Sequence, residues 1–155
     1  MAVQDSLPVK VVPPAYAELH CVSNFTFLRG ASHPEELVAR AHELGYAALA
    51  LTDECSFAGV VRAHQAAQEL GLKLIVGAEF HLVEGMHLVL LAPDRAAYGT
   101  LSELITAGRR AAGKGQYRLS QEAVAHRAQG CLALWIPTVP FQADAALAEL
   151  SWLQR

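Results

Sequence analysis

A chain of 155 residues, 53% of them hydrophobic, with a mean hydropathy of +0.24, has length for one domain and ample apolar material for a core. That composition excludes a disordered tail. The formal charge of −3 and pI near 6.1 give a polyanion no overall attraction, so strong nucleic-acid binding through net charge is excluded and any such contact has to be local.

Met1 to Pro14 is polar and proline-bearing, with apolar runs too short to span a bilayer or form a secretory core, and reads as a loose lead-in to a single domain over 15–155. Tyr16 to Cys21 reads as a first strand. Ser32-His33-Pro34-Glu35 reads as a helix start with Ser32 as cap and Glu35 completing a capping box. The helix runs to about Leu44 with Leu37, Val38, Ala41 and Leu44 on one face, and Gly45 ends it through a left-handed residue. Ala47 to Thr52 is the next strand. Phe57 to about Leu70 carries helical spacing at Val60, Val61, His64, Ala67 and Leu70, closed by Gly71. Lys73 to Val76, Phe80 to Val83 and His87 to Ala92 read as strands, the last two as a hairpin around Glu84-Gly85-Met86. Asp94 to about Ala111 is a helix with Leu101, Leu104 and Ile105 inward. A short helix from Ser120, a strand from Cys131 to Ile136 and a helix from Ala143 to Leu153 complete the chain.

Apolar runs alternating with helical periodicity predict an α/β fold, a mostly parallel sheet with covering helices. Five or six strands are too few to close an eight-stranded barrel. In such folds functional groups gather where strands end, which singles out His20, Asp53, Glu79 and His87. Imidazole and carboxylate in this combination suit zinc, manganese or iron, while an isolated His or Asp at a strand end is more often a hydrogen-bonded structural group.

Cys21, Cys55 and Cys131, odd in number and without a CxxC pair, indicate free thiols in a reducing cytosol, and Cys21 and Cys55 read as small buried hydrophobes that can approach one another at one sheet edge. His33, His42, His64, His81 and His126 read as surface or hydrogen-bonded side chains. Arg109, Arg110, Lys114 and Arg118 read as a solvated loop around Gly113 and Gly115. The chain has no phosphate-cradling Gly-rich loop of the common kinds and no Gly-x-Ser-x-Gly elbow.

Five segments resemble the PHP (polymerase and histidinol phosphatase) domains of bacterial C-family DNA polymerases. These are Glu18 to Ser32, Leu51-Thr52-Asp53-Glu54, Gly77-Ala78-Glu79-Phe80, His87 to Ala92 and Gly130 to Pro137. Asn24-Phe25 and Arg29-Gly30-Ala31-Ser32 are similar to the error-prone branch of that family. The resemblance implies an incomplete, distorted βα barrel and a multi-ion hydrolytic centre from which ligands are missing. Val22, Arg29, Glu54 and Pro137 stand where that family places ligands, leaving His20, Asp53, Glu79 and His87 as a residual cluster of low occupancy. No catalytic or cofactor-binding residue is assigned and no cofactor is expected, with zinc or manganese as the alternative. Arg29 is expected to pair with Asp53 or Glu79 and supply part of a metal's charge.

The resemblance further implies a truncated N-terminal domain of a cytoplasmic translesion polymerase, inactive by itself. Its partners are then the downstream polymerase domains and other replication or translesion proteins. It reaches DNA only through the parent protein and touches no membrane. The alternatives are a metal-dependent phosphoesterase or nuclease and a stand-alone PHP-like binding module.

Overall fold

In the computed structural model the described residues are 15–154, and the expected lead-in over residues 1–14 lies outside them. Five strands form one sheet in the order β1 (Ala17–Cys21), β2 (Ala48–Leu51), β3 (Lys73–His81), β4 (His87–Ala92) and β5 (Leu132–Ile136). β1, β2 and β3 pair in parallel, while β4 runs antiparallel to both β3 and β5. Four of the five strands therefore point the same way, and β4 alone runs counter. The C-terminal ends of β1, β2, β3 and β5 and the N-terminal end of β4 consequently share one edge.

β3 is one nine-residue strand, where the sequence suggests two shorter ones broken at Gly77-Ala78-Glu79. Pairing with β4 runs unbroken from Val76↔Ala92 to His81↔His87. Glycine is demanded here by packing: a Cβ on Gly77 would meet the Leu91 side chain at 2.6 Å and the Leu90 carbonyl oxygen at 2.8 Å. Leu82 donates to the Met86 carbonyl at 2.8 Å and closes the hairpin.

α1 (Pro34–Glu43) is capped one residue later than Ser32 and Glu35 suggest. Proline lacks a backbone donor and suits the first helical position, which makes His33 the cap and Glu36 the third helical residue. The Glu36 carboxylate accepts from the His33 backbone N–H at 2.8 Å. Leu44, expected inward, caps the C-terminus and is exposed. Gly45 and Gly71 take the left-handed conformations expected of them, with φ of 72° and 69°. α2 (Val60–Leu70) starts three residues later than expected and buries Ala63 and Ala67. Val61 and His64 face solvent, because α2 packs closely on α1 through its small residues and this turns the larger side chains outward.

Register sorts the sheet into two faces. Leu49 and Leu51 pack with Val38 and Ala41 of α1 and Ala63 and Ala67 of α2. On the same face Phe80, Leu88 and Leu90 pack with Leu101 and Leu104 of α3 (Arg95–Arg110) and Val124 of α4 (Gln121–Arg127), with Trp152 of α5 (Ala143–Leu153) against them. Ala50, Val89 and Leu91 occupy the opposite face, bordered by Ile75, Leu134 and Ile136. Helices thus cover one face of a curled half-barrel sheet. Glu79, His81 and His87 fall on the other by strand alternation, and Cys21, packed outward with α1 and α2, turns His20 inward.

Candidate cation site

Glu79 is the centre of the site. Its side chain is 0% exposed, a placement a carboxylate tolerates only when paired and hydrogen-bonded. His20 at the end of β1 reaches it through Nε2 to Oε2 at 2.5 Å. His81, two residues along β3, lies 3.2 Å from Oε1. His87 at the start of β4 places Nε2 3.2 Å from the same oxygen but outside hydrogen-bond geometry, so that buried nitrogen has no hydrogen-bond partner. The His81 and His87 rings stack with centroids 3.9 Å apart.

The remaining contacts come from Arg29. Its Nη1 donates to Glu79 Oε1, its Nη2 to Glu79 Oε2 at 3.2 Å, and Nη1 also to Glu54 Oε2 at 3.1 Å. Burial by itself raises the Glu79 pKa. Hydrogen bonds from His20 and Arg29, with the charges of Arg29 and His87, outweigh it and hold the carboxyl well below the usual carboxylate range. The bond to Glu79 in turn raises the Arg29 pKa. Burial, followed by the neighbouring His81, lowers that of His87.

Glu54 arrives beside Glu79 because the chain resumes sheet pairing after β2: Cys55 donates to the Glu79 carbonyl at 2.9 Å and Glu54 bridges to Glu79 in parallel. Tyr117 fixes its side chain, donating to Glu54 Oε1 at 2.9 Å while accepting from the His81 backbone N–H at 2.8 Å. Arg109 fixes its backbone, donating to the carbonyls of Glu54 and Cys55 at 3.1 Å each. Arg109 therefore belongs to the support of the site and lies on α3, not in the solvated loop read from the sequence.

Asp53 is positioned differently from the other three predicted ligands. Its side chain points into the β1–α1 loop, where Oδ1 accepts from the Ser23 N–H at 2.7 Å and the Thr26 hydroxyl at 2.6 Å, and Oδ2 accepts from the Ser23 hydroxyl at 2.7 Å. The structure thus brings His20, Glu79 and His87 together and leaves Asp53 outside that group, as the anchor of the loop that carries Arg29. Of the two partners expected for Arg29, Glu79 is the one it meets.

Ligand atoms of His20, Glu79 and His87 lie within 4.8 Å of one another, as do those of Glu54, Glu79 and His81. The donor set and the orphaned His87 nitrogen fit one divalent ion. A multi-ion centre does not fit, since Asp53 is committed to the loop and Val22 and Pro137 offer no side-chain ligand. His81 and Tyr117 escaped sequence reasoning. Alternation along β3 puts His81 on the face of Glu79, but that signal emerges only once residues 73–81 are read as one strand. Cys21 and Cys55 lie in separate packing clusters, and burial pushes each thiol up to about 11, in keeping with small hydrophobes.

A curled α/β half-barrel sheet thus gathers imidazoles and carboxylates at its strand ends. The chain belongs to the PHP domain family, which it matches over residues 18–150. It is 59% identical over 142 residues to an error-prone DNA polymerase of Aromatoleum aromaticum, an alignment covering 89% of this chain and 13% of that protein. It is 63% identical over 123 residues to that of Methylococcus capsulatus, covering 79% and 12%. It is 52% identical over 158 residues to that of Xanthomonas campestris pv. campestris, covering 99% and 14%. The chain therefore spans 12–14% of the length of these curated relatives.

Among solved structures, a protein assigned as a metal-dependent phosphoesterase from Bifidobacterium adolescentis superposes with a TM-score of 0.53 at 29% identity, covering 64% of this chain and 35% of that one. An amidohydrolase from Chromobacterium violaceum, with bound sulfate and no metal, gives 0.52 at 31% identity, covering 63% and 34%. Among the described residues no helix is long and apolar enough to cross a membrane.

Proposed function

We propose that this chain is the N-terminal PHP portion of an error-prone, translesion DNA polymerase, a single truncated domain from residue 15 onward. Its site is an internally neutralised remnant, with His20, Glu79 and His87 as residual metal ligands and Asp53 as a structural anchor. Its role is structural: it braces the polymerase body and offers a docking surface to it and to other replication or translesion proteins. Contact with DNA comes through the parent protein, in the cytoplasm, with no membrane partner.

One observation carries this reading. The guanidinium of Arg29 contacts both oxygens of Glu79 and one of Glu54, so the charge a metal ion brings to buried carboxylates is supplied by the chain itself. Homology to error-prone polymerases over 79–99% of this chain supports the parentage. The test is association in trans: a polymerase lacking residues equivalent to this chain should regain stability and primer extension when the chain is added. Failure of the two pieces to associate contradicts the bracing role.

A second reading, a metal-dependent phosphoesterase, is favoured by the unpartnered His87 Nε2 and by the Bifidobacterium relative. A bound zinc or manganese ion would supply Lewis acidity and an activated water, with His20, Glu79 and His87 as the residues holding it. Manganese-dependent hydrolysis of a phosphate ester, lost on Glu79→Gln, would establish this reading over the first.

A further inference from the structure

Arg29, Arg40, Arg62 and Arg109 are each tied to a carboxylate or a backbone carbonyl. Among the described residues the other four arginines, Arg95, Arg110, Arg118 and Arg127, form no ion pair and no side-chain hydrogen bond. Three of those four border one groove. Between the end of α3 and α4 lies a hollow of about 460 Å³ edged by Arg118 and Arg127. At Ala107 it meets a flatter depression that carries Arg110.

The three side chains come from different elements: Arg110 ends α3, Arg127 ends α4 and Arg118 belongs to the segment between them. An arginine in the last turn of a helix answers the helix dipole wherever it points, but Arg118 has no such role. Its segment is fixed on both sides. The Arg118 N–H donates to the Gly108 carbonyl at 3.0 Å, and the Val83 N–H donates to the Leu119 carbonyl at 2.9 Å. A Cβ on Gly108 would meet the Leu119 side chain at 2.9 Å, so glycine lets this segment lie flat on α3.

The acidic groups nearby do not cancel this charge. Glu84 accepts from the Gln121 N–H at 3.1 Å, and Glu122 stands 4.0 Å from His126. Glu103 is the one carboxylate that borders the groove, in the depression beside Arg110. Ser120 Oγ accepts from the Ala123 N–H at 3.2 Å, which leaves its proton free to donate. The floor is Ala107, Ala111, Leu119 and Ala123, with no aromatic ring for a base to stack on.

We propose that Arg110, Arg118 and Arg127 form a phosphate-binding groove, through which this chain touches the sugar–phosphate backbone of DNA held by its parent protein, without reading sequence. Guanidinium forks match phosphate oxygens, and contacts confined to phosphate carry no base information. Three charges spread over three elements suit successive phosphates of a strand better than one free anion. The net charge of −3 keeps the contact weak and local. The choice of DNA as the polyanion rests on the proposed parentage.

The test uses the 155-residue chain and a fluorescein-labelled oligothymidylate, followed by anisotropy from about 20 mM salt upward, where phosphate contacts are strongest. Circular dichroism verifies folding of each variant. The wild type should bind with a slope of log affinity against log salt near about −2, three phosphates at about 0.7 each. Replacing all three arginines by glutamine should weaken binding at least roughly tenfold and flatten the slope. Replacing all three by lysine keeps the charges and should preserve the slope. Arg95→Gln, which removes the unpartnered arginine outside the groove, should change little, and Glu103→Gln should tighten binding.

A wild type that leaves the oligonucleotide free at low salt overturns the inference. So does a loss in Arg95→Gln equal to that of the triple glutamine variant, which would make the effect one of net charge. Inorganic phosphate that competes as well as the oligonucleotide, at equal phosphate concentration, overturns it by assigning the groove to a free anion. Failure of the chain to associate with the truncated polymerase counts instead against the proposed bracing role, so the two failures are distinguishable.

Discussion

Arg29 and Glu79 are 50 residues apart in sequence and meet as a two-pronged ion pair, the guanidinium half-open to solvent and the carboxylate fully enclosed. This asymmetry decides what each residue is worth. Glu79 without Arg29 is a buried charge left with imidazoles for company, whereas Arg29 without Glu79 rehydrates.

Arg29→Ala should therefore lower stability by about 1–3 kcal/mol, below the range for fully buried pairs because Arg29 is exposed and His20 still donates to Glu79. Glu79→Gln should cost less than Glu79→Ala, since the amide oxygen still accepts and the volume is kept. Urea unfolding of the three variants checks the order.

The pH dependence follows from the sign of the Glu79 shift. Its folded pKa is depressed, so the unfolded chain takes up the proton first, near the ordinary Glu value of about 4.3. The stabilisation is complete above that pH and is lost as pH falls towards the folded pKa. Lowering pH below about 4 should destabilise the wild type more steeply than Glu79→Gln. The depressed His87 pKa has the same sign in a higher window, beginning near about 6.5, and His87→Gln should flatten that part of the curve.

Asp53 is buried and accepts three hydrogen bonds from Ser23 and Thr26. Asp53→Ala leaves the Ser23 and Thr26 donors unpaired and should cost about 2–4 kcal/mol. Because those bonds anchor the loop, limited proteolysis after Phe25, Phe27 or Arg29 should accelerate in this variant, and less so in Asp53→Asn.

Gly30 closes the same loop. A Cβ there would sit 1.9 Å from the Ser23 carbonyl oxygen, a clash with backbone that no side-chain movement relieves. Gly30→Ala should destabilise the chain by at least about 2 kcal/mol, whereas Gly113→Ala, with nothing within 4 Å of its Cβ, should be nearly neutral. Thermal unfolding of the pair separates close approach from general glycine effects.

The order of the elements and the shared strand edge were legible in the sequence, because alternation and helical spacing report burial directly. His20, Glu79 and His87 were legible for the same reason: each ends or opens an apolar run on that edge. What Asp53 does was not. A carboxylate at a strand end looks the same whether it turns toward Glu79 or toward Ser23, and the choice depends on loop donors 27 and 30 residues away. His81 was hidden by the division of residues 73–81 into two strands, and Arg109 by its place in a basic stretch. Arg109 and Tyr117 act through contacts across 54–55 and across 36 or 63 residues that local pattern does not encode.

The central claim is that the chain's own cation has taken over from a metal cluster. Metal content of the wild-type protein, purified without chelator and measured by plasma mass spectrometry, tests it most directly. The account predicts well under one zinc, manganese or iron per chain. Two or more tightly held ions per chain, lost together on His20→Ala or Glu79→Gln, would contradict it.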